Sequence, residues 1–153
     1  MFKLDAEHLF AYTATLQAPP EAIGPVPEGA RANFYITGGH VLGPKLKGTV
    51  RPVGADWGTV RTDGVLAVDV RATLELDDGA LIYVSYLGLG DLGADGYQRF
   101  LAGQLPPKFG LRTAPVFRTA DPRYQWLHRR VCVGVGEADL ATFSVAYDVY
   151  AIK

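Results

Sequence analysis

Leu66-Ala67-Val68-Asp69-Val70-Arg71-Ala72-Thr73-Leu74-Glu75-Leu76-Asp77-Asp78-Gly79-Ala80-Leu81-Ile82-Tyr83-Val84-Ser85-Tyr86 is the stretch that decides the fold. Leu66, Val68, Val70, Ala72 and Leu74 alternate with Ala67, Asp69, Arg71, Thr73 and Glu75, the two-residue period of a strand with unlike faces. Asp77-Asp78-Gly79 supplies a tight turn, with Gly79 suited to a left-handed bulge position. A three-residue loop sets Leu76 opposite Ala80. Val70, Ala72 and Leu74 then share a face with Tyr86, Val84 and Ile82, while Asp69, Arg71 and Thr73 share the other with Ser85 and Tyr83. A two-residue loop would swap the faces of the second strand. The three-residue loop groups like with like and is the expected one.

Outward from this hairpin, 18 Gly and 10 Pro punctuate short runs rich in Val, Leu, Tyr and Thr. That rhythm predicts an all-β, antiparallel sandwich or barrel. The expected strands cover 6–17, 31–37, 46–52, 57–61, 65–76, 80–87, 112–119, 130–136 and 141–152. Residues 18–30, with four prolines and two glycines, read as a loop with a restricted backbone. Residues 94–102 read as a short helix stopped by Gly103. Either segment could cover a barrel mouth or serve as an ordinary surface connection. Nothing divides the chain, so residues 1–153 are expected to form one domain.

Composition narrows the function. At 153 residues the chain can bury one real core. With 48% hydrophobic and 20% charged residues it is not a disordered chain. A net charge of −1 without a basic face argues against nucleic acid. Cys132 lies in the apolar run Val131-Cys132-Val133-Gly134-Val135, where a free thiol behaves as a small hydrophobe. Asp5 and Glu7 stand where a signal peptide would be apolar, and no run approaches the ~20 apolar residues of a membrane span. The expectation is a soluble, cytoplasmic protein with no membrane partner.

Most motif-based chemistry falls away. Gly88-Leu89-Gly90-Asp91-Leu92-Gly93 matches a dinucleotide fingerprint but lacks the substantial helix and parallel strand that fold needs. His8, His40 and His128 show no metal-ligand spacing, and Ser85 and Ser144 lack a nucleophile setting. Acid, base and aromatic chemistry remains. Asp56-Trp57 reads as a glycine-flanked corner: either a self-bonded turn beside a core Trp, or a carboxylate aimed at a barrel mouth. Asp69, Arg71 and Tyr83 share the polar hairpin face, which by pattern alone is the solvated one. Asp121-Pro122-Arg123-Tyr124-Gln125-Trp126 reads as a helical turn capped by Asp121. Tyr124, Trp126 and His128 near it could line a pocket or plug a barrel end.

Together these pieces resemble domain-of-unknown-function family 3237. The matching stretches are Gly29-Ala30-Arg31, Gly38-Gly39 with Gly43-Pro44, Gly54-Ala55-Asp56-Trp57, Arg61-Thr62-Asp63-Gly64 and Asp69-Val70-Arg71. Asp77-Asp78-Gly79-Ala80-Leu81-Ile82-Tyr83 and the run Phe117 to Leu127 complete the match. His128 stands where the family commonly has Asn, and residues 88–111 match poorly. The resemblance implies a single antiparallel β-barrel of about 8–10 strands with one short helix, similar to allene oxide cyclases and dirigent proteins. It implies a cofactor-free cyclase or isomerase of a small organic molecule, and it moves Asp69, Arg71 and Tyr83 from the surface to the lumen. The residues themselves add the lyase option, a partly apolar, oxygenated molecule and no expected metal. In that reading Asp56 or Asp69 is the general acid or base, and Tyr83 or Tyr124 donates to an oxyanion. Arg71 holds an anionic group, Trp57, Phe117 and Trp126 form walls, and His128 adds a titratable group. The alternatives are a non-catalytic ligand-binding barrel and a self-assembly module. A homodimer or larger homo-oligomer fits all three.

Overall fold

The computed structural model describes residues 1–153. In chain order its elements are β1 (Ala6–Leu16), β2 (Glu21–Val26), β3 (Gly29–Leu42), β4 (Lys47–Val60), β5 (Val65–Leu76) and β6 (Leu81–Asp91). Helix α1 (Gly96–Leu101), β7 (Lys108–Arg118), a 3₁₀ turn (Gln125–Arg129), β8 (Val131–Asp139) and β9 (Ser144–Ile152) follow. The sheet runs β1-β9-β8-β7-β6-β5-β4-β3, and β1 pairs back onto β3 to close an antiparallel barrel of eight strands. Strand β2 pairs with residues 29–33 of β3, beyond the point where β1 leaves off.

The hairpin forms in the expected register. Val70, Ala72 and Leu74 face Tyr86, Val84 and Ile82, and the Leu76 N–H donates to the Ala80 carbonyl at 2.9 Å across the turn. Gly79 sits at φ +86°, a conformation in which a side chain would be strained. The apolar set points inward: Val68, Val70, Ala72, Leu74, Ile82 and Val84 are all buried in one continuous core.

Two segments depart from the sequence reading. Residues 18–30 hold β2 rather than only loop, because Glu21–Val26 finds an unpaired length of β3 to bond. Residues 46–52 and 57–61 belong to one strand, β4, with an irregularity between Val50 and Gly54. A Cβ on Gly54 (φ +90°) would lie 2.1 Å from the Arg71 carbonyl oxygen, so this glycine lets two backbones close up and does not end the strand. Asp56 and Trp57 are therefore mid-strand, not at a corner.

The two ends of the barrel differ. Loops 43–46 and 77–80 and the long 119–130 connection gather at one end. Leu127 of the 3₁₀ turn, 1% exposed, fills that end with Leu9, Leu46 and Leu76. The turn expected at Asp121 is present: its carboxylate accepts the Arg123 backbone N–H at 3.0 Å, its carbonyl accepts the Tyr124 N–H at 3.1 Å, and the 3₁₀ turn follows from Gln125. At the opposite end, α1 lies within the expected 94–102 and packs against β3 and β4.

Candidate functional site

Toward the α1 end the barrel interior opens into a narrow chamber, with about 40 Å³ open to the centres of water molecules and about 500 Å³ of atom-free space when the solvent at its mouth is counted. Leu16, Ile36, Leu66, Phe109, Leu111 and Val145 are among its walls. Tyr12, Tyr86 and Tyr147 lie at its floor, with ring centroids 6.0 Å apart for Tyr12–Tyr147 and 5.7 Å for Tyr86–Tyr147. The same three rings bound a smaller apolar space on the far side, with Phe10, Leu74, Val84 and Phe117. The tyrosines thus form a partition across the barrel.

Asp56 is the one charged residue lining the chamber. It faces inward because it pairs with Val70 of β5 and Phe34 of β3, both inward positions. No Cα partners link Trp57 and Gly58 to β5, and in that gap the Asp69 backbone N–H donates to Asp56 Oδ1 at 2.9 Å. The carboxylate replaces a missing ladder bond, which fixes its orientation. Oδ2 has no protein hydrogen-bond partner and is not sealed from solvent, so it faces the chamber. Burial pushes the Asp56 carboxyl up to about 7; the Asp69 N–H bond opposes that rise and the Asp69 charge adds to it.

The phenols move the same way. Burial raises Tyr12 to about 12. Tyr86 and Tyr147 are raised by burial first; Tyr12, Tyr147 and Asp56 add to the rise at Tyr86, while at Tyr147 Asp56 and Tyr12 add to it and the Tyr86 hydroxyl opposes it. All three therefore remain O–H donors at neutral pH. A carboxyl raised by burial beside protonated phenols places a proton acceptor and hydrogen-bond donors in one chamber.

Of the other expected site residues, none joins Asp56 in the chamber. Asp69, Arg71 and Tyr83 lie on the outer face of the barrel. The Arg71 and Asp69 side chains are 48% and 42% exposed with N···O 3.3 Å between them, and Tyr83 is 44% exposed. The lumen placement is overturned because closing the sheet buries one face only, and the apolar set takes it; an ion pair there would lose its hydration. Trp57 is also outside, with the Arg71 guanidinium 5.3 Å from its ring centroid. Phe117 does point inward, but beyond the tyrosine partition, edge-on to Phe10 at 5.7 Å.

Tyr124, Trp126 and His128 sit at the plugged end, away from the chamber. Tyr124 donates to the Asp78 carboxylate, Lys45 lies 5.2 Å from the Trp126 centroid, and His128 Nε2 accepts the Thr119 N–H at 3.0 Å. These contacts tie the 119–130 connection over Leu127. Cys132 is buried, and burial raises its thiol, as expected of a small hydrophobe. No helix is long and apolar enough to cross a membrane.

The sequence reading missed Tyr12, Tyr86 and Tyr147 as site residues. A signal existed: each occupies the inward phase of its strand, with Phe10 and Ala14, with Val84, and with Val149 and Ala151. A tyrosine in an otherwise aliphatic inward phase is a phenol delivered to the interior.

Residues 5–152 match the family described as protein of unknown function (DUF3237). The chain belongs to this family. A UPF0311 protein of Rhodopseudomonas palustris (strain TIE-1) is 32% identical over 133 residues, 86% of each chain. The crystal structure of a β-barrel-like protein from Acinetobacter baumannii AYE superposes with a TM-score of 0.83 at 33% identity, covering 100% of this chain and 98% of that one. An enzyme from Penicillium herquei shares the fold at a TM-score of 0.67 and 22% identity, covering 100% and 97%. In this DUF3237 barrel the stretches that resemble the family separate in space: Gly54–Trp57 brings Asp56 to the chamber, and the run ending at Leu127 closes the other end.

Proposed function

We propose that this barrel is a cofactor-independent cyclase, isomerase or lyase that moves protons on a small, oxygenated, partly apolar molecule held in the Asp56 chamber. One observation carries the reading: a single carboxyl stands in an apolar chamber, one oxygen held by the Asp69 N–H and the other open. As a carboxylate, Asp56 takes a proton through Oδ2 from a hydroxyl or from a carbon beside a carbonyl. The electron pair moves onto the substrate, and the Tyr86 or Tyr147 hydroxyl donates to the oxygen that gains charge. Asp56 then returns the proton to another atom of the same molecule. Electrons and protons balance without a further reactant. Acid–base help of this kind is worth about 10²–10⁴-fold, and a well-placed donor to an oxyanion adds a comparable factor.

Proton exchange into D₂O tests the reading without knowledge of the natural substrate. With 2-tetralone as probe, loss of the α-proton NMR signal should run about 10²-fold or more above buffer and rise with pH through about 7, tracking Asp56 ionisation. Asp56→Asn should return the rate to that of buffer. Exchange no faster than buffer with the probe bound would reduce the protein to a binding barrel. Exchange unchanged by Asp56→Asn would remove the carboxylate from the mechanism.

A further inference from the structure

The chamber is polar only at its floor. The register places Asp56 level with Val70 and Tyr86, at mid-barrel. Apart from Asp56 and the three tyrosines the lining is apolar, with Phe34 and Leu66 on one side and Leu111, Leu140 and Val145 on the other. No Lys, Arg or His lines it. The nearest cation in sequence register, Arg71, is turned to the outer face and occupied with Asp69 and Trp57. The ionisable groups around Asp56 are Tyr12, Tyr86 and Tyr147 from inside and Asp69 from the outer face, and none of them is a cation.

We infer that the chamber selects uncharged molecules with a hydroxyl or carbonyl oxygen at one end and an apolar ring or chain at the other, seated oxygen first, and rejects carboxylates, sulfonates and phosphates of the same shape. The inference rests on the proposed chamber but not on catalysis in it. A hydroxyl entering oxygen first donates to Asp56 Oδ2 and accepts from the Tyr86 or Tyr147 hydroxyl, so it satisfies both kinds of group at the floor. Its apolar body meets the aliphatic walls. A carboxylate in the same seat finds phenol donors but no countercharge. It also lies within a few ångströms of a second carboxylate in a site with little water, where like charges repel strongly. The reverse orientation would press an apolar ring against Asp56 and leave the polar end among leucines. The expected Arg71-held anion is therefore replaced by a neutral head.

The test compares 2-naphthol, uncharged at pH 8, with 2-naphthoate by titration calorimetry. The wild-type protein should bind 2-naphthol at least about 100-fold more tightly than 2-naphthoate. Asp56→Asn should narrow that gap at least tenfold. Lowering the wild-type protein to pH 5.5, where Asp56 is protonated, should narrow it in the same direction and needs no substitution. Intermolecular NOEs should join the ring bearing the hydroxyl to Tyr86 and Tyr147, and the distal ring to Leu66 and Val145. Equal or tighter binding of naphthoate, a gap insensitive to both Asp56→Asn and pH, reversed NOEs, or no binding of 2-naphthol would each overturn the inference. Loss of 2-tetralone exchange with this preference intact would remove the catalytic reading and leave the binding selectivity standing.

Discussion

Asp56→Asn should make the barrel more stable at alkaline pH, and the size of the gain follows from where the carboxyl sits. In the folded protein its pKa is about 7, against 3.8 for the ordinary group. Below about pH 4 the group is protonated in both folded and unfolded chains and its contribution to stability is fully present. Between about pH 4 and 7 the unfolded chain gives up the proton while the folded chain keeps it. Stability then falls by about 1.4 kcal/mol per pH unit, levelling above pH 7 once both forms are ionised. The whole loss is about 4 kcal/mol; water reaching the open side of the carboxyl reduces it, to no less than about 2 kcal/mol. Asn keeps an acceptor for the Asp69 N–H and does not titrate, so the variant escapes this loss. Urea unfolding followed by Trp fluorescence from pH 4.5 to 8.5 reads the difference, with every other ionisable group common to both proteins. The stability gap between variant and wild type should grow steadily from pH 4.5 to about 7.5 and then hold constant. A gap that stays flat within about 0.5 kcal/mol across that range would refute the burial argument and with it the raised carboxyl.

Leu127→Ala should cost about 2–5 kcal/mol in unfolding free energy, since this side chain is 1% exposed in the plug, yet leave 2-naphthol binding in place at temperatures where the fold persists. Arg71→Ala should change stability by less than about 1 kcal/mol, as it removes only an exposed ion pair and a surface stack on Trp57, and should leave chamber binding unchanged; a loss of binding would return Arg71 to the site. Gly54→Ala should destabilise by roughly 2 kcal/mol or more in chemical denaturation, because its Cβ would press on the Arg71 carbonyl at a positive φ. Tyr86→Phe should weaken 2-naphthol binding several-fold and slow 2-tetralone exchange while changing pH-dependent stability little; unchanged exchange would assign the donor role to Tyr147 alone.

The hairpin was legible down to its register because two constraints agreed: the alternation of Val68 to Leu74 and the turn chemistry of Asp77-Asp78-Gly79. The alternation also indicated the buried face, since Val68, Val70, Ala72 and Leu74 are apolar while Asp69, Arg71 and Glu75 are charged, and barrel closure brings Val70 against strands from the opposite wall. Pattern alone favoured the solvated face for Asp69 and Arg71, and the family likeness turned that reading the wrong way. Asp56 was legible as a candidate for a mistaken reason. Its glycines suggested a corner, whereas Gly54 serves the close approach of β4 to β5 and Asp56 projects from an unbroken strand. Tyr12 and Tyr147 come from strands at the two ends of the chain, and no local pattern could show them meeting Tyr86. The run from Asp121 to Leu127 was conspicuous because it builds a plug, and conspicuous packing in sequence looks much like a site.

The Leu127 plug also dictates traffic. With one end stoppered, whatever goes in must back out along the same path, so a barrel still holding product cannot load its next molecule. If the proposed proton transfer runs in the chamber, product should therefore compete directly with substrate in steady-state kinetics. If the reaction cleaves, the order of departure is set by position: the piece nearer the mouth leaves first and the piece seated on the tyrosines leaves last. The last fragment out is then the stronger inhibitor, and its structure would reveal which part of the substrate had been held deepest.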